Sequence, residues 1–133
     1  MQETGTLVTN EDQEAWVKET LDCTVKELIA QGLFESLVVE AKPAWAFPGQ
    51  ILIGKIRDRG NEAGFHWFIG GNLPTDCIVS SVALNARDAA RHFSLKWQLE
   101  ADKKGAEGEE LARQAEGLYE LTDEPGLWKE RVG

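Results

Sequence analysis

The apolar positions of this chain follow three rhythms. From Asn10 onward, Val17, Leu21, Val25, Leu28 and Ile29 recur at helical spacing, and Gln13 follows Asn10 by three residues in the manner of a capping box. Glu11 and Asp12 fall where the positive end of a helix dipole favours acids, and Gly32 supplies a stop, so the spacing predicts a first helix of about 20 residues. Residues 33–41 (LFESLVVEA) are ambiguous: Leu37, Val38 and Val39 suit a strand, but the run also fits a helix. Residues 42–49 (KPAWAFPG) contain two prolines and therefore predict an irregular or extended connection. Trp45 and Phe47 within it must lie against the core or line a pocket.

The second rhythm is that of strands. Residues 50–57 (QILIGKIR) and 65–69 (FHWFI) are rich in β-branched and aromatic side chains, and the polar, glycine-containing residues 58–64 between them predict a hairpin loop. Two strands are marginal alone, and residues 37–41 and 77–81 are the candidates to extend the sheet. Strand alternation places Phe65, Trp67 and Ile69 on one face and His66 and Phe68 on the other. If the Trp67 face meets the helices, His66 is directed at solvent, a partner subunit or a cavity.

The third rhythm returns to helix. Asn85 precedes Ala86, Ala89, Ala90, Phe93 and Trp97 on one apolar face, and this helix ends near Gly105. A further helix over residues 107–120 turns Leu111, Ala115, Leu118 and Tyr119 inward, after which DEPGLW turns at Pro125 and Gly126 and folds Leu127 and Trp128 back. The elements together predict an α+β fold, a short antiparallel sheet of two to four strands packed against about three helices. A length of 133 residues suits one domain, with residues 1–9 a flexible N-terminus and 121–133 a tail that folds back.

Composition narrows the setting. The net charge of -9 argues against nucleic acid and anionic membrane surfaces, both of which need a basic face. The charge is uneven: residues 50–104 hold 8 basic and 6 acidic side chains, whereas residues 1–49 hold 3 and 9 and residues 105–133 hold 3 and 8. An anionic ligand would be drawn to the middle, although acidic ends are also what exposed helices carry. The acidic N-terminus is unlike a secretory leader and no apolar run reaches ~18 residues, so a soluble, cytoplasmic protein is expected. Cys23 and Cys77 show no CxxC or paired Cys/His spacing, which implies reduced core residues rather than a disulfide or zinc framework.

Candidate chemistry is sparse. His66 is a candidate base or metal ligand, or a structural strand histidine; His92, with Asp88 and Lys96 one turn away on either side, reads as a solvated stripe. Gly70, Gly71 and Asn72 are explained by backbone geometry at a turn, and no phosphate loop, GxSxG or HExxH surrounds them or Ser80, Ser81 and Cys77. Neither a cofactor nor a metal is implied. Arg87 and Arg91, one turn apart, either grip a carboxylate or phosphate or pair with Asp76 and the C-terminal acids.

The order PAWAFPG, strand, GFHWFIGGNLPTD and NARDAARHFSLKW resembles a family of small bacterial proteins of unknown function, whose pattern has an aromatic between prolines, a G-x-x-W strand entering G-D-L-P-T-D, and an arginine- and alanine-rich helix ending in tryptophan. The similarity covers about residues 43–97 and implies an α+β domain with an antiparallel sheet but no activity. Asn72 stands where the pattern has aspartate. The residues thus predict a non-catalytic ligand-binding or protein-interaction module, with a surface formed by Trp45, Phe47, His66, Asn72, Asp76, Arg87 and Arg91. Its partner is expected to be a small anionic ligand or a protein, with self-association left open. The alternatives are a small enzyme using His66 and Asp76 as an acid–base pair on an anionic substrate, and an acidic inhibitor or immunity-type protein steered by its charge.

Overall fold

The computed structural model describes residues 10–32, 39–58 and 64–128. In chain order these form α1 (Asn10–Ala30), β1 (Val39–Phe47), β2 (Ile51–Asp58), β3 (His66–Gly71), β4 (Asp76–Val79), α2 (Ala86–Lys104) and α3 (Glu109–Thr122). Short 3-10 turns lie at Ser80–Val82, Gly105–Gly108 and Pro125–Trp128. The fold is α+β, as the pattern predicts, with four antiparallel strands in the order β1-β2-β3-β4. The expected mobility of residues 1–9, the assignment of 33–38 and most of the 58–64 loop fall outside the described residues.

Of the two readings of residues 42–49, irregular or extended, the extended one holds, but as a strand rather than a connection. Their first six belong to β1, which pairs Lys42 with Lys55 and Pro43 with Gly54, then skips Ala44 and resumes with Trp45 opposite Ile53 and Phe47 opposite Ile51. The prolines read locally as breakers, but among the described residues β1 is an edge strand, where a missing amide donor is tolerated. The extra residue at Ala44 is a bulge, and it changes which side chains face which way. With strict alternation after Lys42, the even-numbered alanines would share its face; the bulge instead turns Trp45 and Phe47 onto the face of Ile51, Ile53, Trp67 and Ile69.

Both faces of the sheet are covered. On the Trp67 face, α2 and α3 bury Ala89, Ala90, Phe93, Trp97, Ala115 and Leu118 against Trp45, Ile51, Ile53 and Ile69. Burying a Phe93-sized side chain contributes roughly 2–3 kcal/mol. On the Phe68 face, α1 brings Leu28, with Val17, Leu21, Val25 and Ile29, against Leu52, Ile56 and Phe68. His66, which the sequence directs at solvent, a partner subunit or a cavity, is half-buried on the face that α1 packs against. Thr24 of α1 meets the sheet so closely that a Cβ at Gly70 would come within 2.9 Å of its Cγ2. Gly71 has φ 105°, a left-handed value that L side chains avoid, so the double glycine serves close approach and turn geometry as expected.

The helix after Asn85 forms as predicted. The Asn85 side chain accepts a hydrogen bond from the Asp88 amide at 2.9 Å, and the Asp88 carboxylate accepts one from the Leu84 amide at 3.4 Å. Ser94, fully buried on α2, donates to the Ala115 carbonyl at 2.8 Å and so ties α2 to α3. The third helix begins at Glu109 rather than 107, because Gly105–Gly108 takes the tighter turn. Tyr119 points outward, 46% exposed, and not inward; Leu118 and Thr122 take the buried positions. Residues 77–81 are a strand only to Val79, beyond which Ser80–Val82 turns.

Candidate functional site

The seven residues singled out by sequence do not converge on one surface. His66 pairs with Val79 in β4, and Asp76 pairs with Ile69. Three residues of strand, about 10 Å, separate the two pairs. Because cross-strand partners share a face, Asp76 faces α2 whereas His66 lies on the α1 side, and the sheet stands between them. No acid–base pair is formed.

Asp76 is a fastener between sheet and helix. Its carboxylate accepts hydrogen bonds from Lys96 Nζ at 2.8 Å, from Trp97 Nε1 at 3.0 Å and from the Cys77 amide at 2.8 Å. Lys96 is therefore not merely part of a solvated stripe with His92. Burial, and then the neighbouring Asp76 charge, push the Cys77 thiol above its ordinary value, partly offset by Lys96. That thiol stays protonated near neutrality.

The two arginines hold the end of α3. Arg87 Nε donates to the Thr122 carbonyl at 2.7 Å; Arg91 donates to the same carbonyl at 3.2 Å and to Thr122 Oγ1 at 3.1 Å. Arg91 also lies 3.7 Å from Asp123. Cations at a helix C-terminus meet both its unpaired carbonyls and the negative end of its dipole. The anticipated pairing with a C-terminal acid is thus present, whereas Asp76 is taken by Lys96. Asn72 closes a turn, its side chain donating to the Gly49 carbonyl at 3.0 Å.

Trp45 stands apart. It is 7% exposed, its ring lies 3.9 Å from that of Trp128 at 15°, and its Nε1 donates to the Leu127 carbonyl at 2.7 Å. The returning tail, Pro125–Trp128, is held in turn by Trp128 Nε1 on the Leu121 carbonyl at 2.8 Å. Trp45 lines two clefts. One is a largely apolar cleft of about 750 Å³ between α1, β1 and the tail, lined by Val17, Leu21, Trp45, Phe47 and Leu127 among others. The other is a cleft of about 430 Å³ walled by Trp45, Trp67 and Trp128, with Lys55 from β2 and Arg87 from the first turn of α2.

The smaller cleft has fixed walls and an unusual charge. Trp67 Nε1 donates to the Ala83 carbonyl at 3.2 Å, so all three indoles are held by hydrogen bonds to backbone carbonyls. Lys55 Nζ lies 4.7 Å from the Phe65 ring centre and 5.3 Å from that of Trp67. Neither Lys55 nor Arg87 forms an ion pair among the described residues, and no acidic side chain lines the cleft, in a chain of 23 acidic and 14 basic residues. Reading the sequence singled out Trp45 and Arg87 but missed Lys55, Trp67 and Trp128 as wall residues. The available signal was alternation, which puts Lys55 directly opposite Trp67 once β2 and β3 are aligned.

Elsewhere, Arg91 borders a cleft of about 460 Å³ with His92 and Tyr119, and Phe47 and Asn72 border one of about 310 Å³. Among the described residues no three His, Cys, Asp or Glu side chains gather as metal ligands, and no helix is long and apolar enough to cross a membrane.

Comparison with known families matches residues 10–128 to a domain of unknown function, DUF4826. The chain belongs to this family. The match extends the resemblance seen over residues 43–97 to include α1, α3 and the returning tail, so both layers flanking the sheet and the Trp128 side of the cleft lie within the family's domain. No curated protein and no solved structure is significantly similar to the chain.

Proposed function

We propose that this DUF4826 protein is a non-catalytic, cytoplasmic binding module for a small anionic ligand with a flat apolar portion, which it takes into the cleft walled by Trp45, Trp67 and Trp128. One observation carries the reading: two cations without carboxylate partners among the described residues face a cleft of three fixed indoles, in a chain of net charge -9. An acidic protein whose surface favours cations has in this cleft the potential to attract an anion. The parts of the indoles that reach the cleft meet a ligand without losing side-chain freedom on binding, because their hydrogen bonds already fix them. A volume of about 430 Å³ lies within the range of small-molecule sites. Cys23 and Cys77, both free thiols, support a reducing compartment.

The enzyme alternative loses its support, since His66 and Asp76 lie on opposite faces of the sheet. The binding reading is tested by titrating the protein with a panel of planar anionic and neutral fragments while following the indole N–H resonances. Shifts that cluster on Trp45, Trp67 and Trp128 and weaken several-fold in Lys55→Ala are expected. Shifts distributed over the surface, or none at these three indoles, would sink the proposal.

A further inference from the structure

The register of β1 on β2 adds an observation the cleft alone does not contain. Lys42 and Lys55 are direct cross-strand partners on the same face. Like charges so placed sit about 5 Å apart at Cβ and repel. The next pair along this face, Glu40 and Arg57, is complementary and closes at 2.7 Å, so Glu40 is already engaged by a cation. Lys42, like Lys55, forms no ion pair among the described residues. Lys55 and Arg87 line the cleft, and Lys42, not itself a lining residue, stands next to Lys55 across the strand pair; among the described residues none of the three cations forms an ion pair.

The form of these cations discriminates between anions. A carboxylate is best held by the side-on fork of an arginine, made by Nε and one Nη. Arg87 Nε already donates to the Thr122 carbonyl, so this side-on fork is occupied. Two lysines instead offer separate point charges, suited to a compact tetrahedral group whose oxygens spread in several directions. The repulsion between Lys42 and Lys55 is relieved most by an anion carrying two charges.

Building on the binding reading above, we propose that the charged part of the ligand is a phosphomonoester, held as a dianion by Lys42, Lys55 and Arg87 while its planar portion lies along the indoles. The class is that of a phosphorylated aromatic or heteroaromatic small molecule. No bond is made or broken.

Phenyl phosphate, phenyl sulfate and phenol share a ring and differ in charge, the first being a dianion above the second phosphate ionisation near pH 6. Calorimetric titration of the full chain at pH 7.5 is expected to give phenyl phosphate roughly tenfold tighter than phenyl sulfate, with phenol weaker than both. The gap closes at pH 5, where the phosphate also carries one charge. In Lys42→Ala, an exposed substitution outside the indole wall, phosphate affinity falls roughly fivefold while sulfate changes by less than about twofold. If phosphate and sulfate bind alike, or Lys42→Ala weakens both equally, the dianion inference is overturned while the aromatic-anion site stands. If none of the three shifts the indole N–H resonances of Trp45, Trp67 and Trp128, the site itself is overturned and this inference with it.

Discussion

Asp76 shows how much one side chain accounts for. It joins β4 to α2 through a lysine and a buried tryptophan N–H, with only 18% of its side chain exposed. Asp76→Ala removes an ion pair and leaves the Trp97 N–H without its acceptor, and is expected to lower stability by about 2–3 kcal/mol in urea unfolding. Asp76→Asn keeps an acceptor for Trp97 and is expected to cost about half of that. Cys77, its neighbour, yields a prediction about pH. Its thiol ionises less readily in the folded chain than in the unfolded one, so above the ordinary value of 9.0 the folded state binds more protons and stability falls as pH rises. Cys77→Ala should reduce that alkaline decline, measured as unfolding free energy between pH 8 and 10.5; an unchanged slope would show that other groups govern it. At neutral pH exposed Cys23 is expected to react with a thiol reagent well before Cys77. Asp76 was legible in the sequence as a residue whose chemistry exceeds a turn's needs. Its partners were not, because Lys96 and Trp97 lie twenty residues away on a helix whose rotation over the sheet no local pattern specifies.

The elements were readable where their signals are local. The Asn85 cap and the Ala/Phe/Trp stripe of α2 depend on neighbours within a few turns, and they formed as expected. β1 depends on the edge of a sheet formed by residues further along, so its prolines looked like breakers rather than edge residues. The second helical layer was missed for a similar reason. A strand that alternates polar and apolar residues has one wet face, but Trp67 to Gly70 is buried throughout, which is the mark of a strand covered on both sides. The contact between Thr24 and Gly70 makes this layer testable. Gly70→Ala places a methyl against Thr24 and is expected to cost about 1–3 kcal/mol. Thr24→Ala removes both the Oγ1, the atom nearest that methyl, and the Cγ2, and the double variant should recover part of the loss in a double-mutant cycle; strict additivity would mean the two residues do not touch in solution.

For the molecule as a whole, the charge of -9 is concentrated at the two ends of the chain, which include α1 and α3, while α2 is net basic, so self-repulsion is largest within α1 and within α3. Raising salt from about 10 to 150 mM is expected to increase the melting temperature by a few degrees as that repulsion is screened, and a fall would indicate that the ion pairs at Asp76 and Glu40 outweigh it. Ligand chemistry could be read only in outline from the sequence, as a positive middle and a tryptophan between prolines. The cleft itself needed the register of β2, the tail's return and the bulge that swings Trp45 across. That bulge has a second consequence, for solubility. Among the described residues the four-stranded meander ends in two unpaired edges, each a template on which another copy can add a strand. β4 offers only the four residues Asp76–Val79. The longer edge, β1, is interrupted by Pro43, which lacks a donor, and by the skipped residue beside it. The local irregularity that aims an indole into the cleft also keeps this edge from continuing into a fibre, so a straightened, proline-free β1 would give a chain prone to aggregate rather than one better folded.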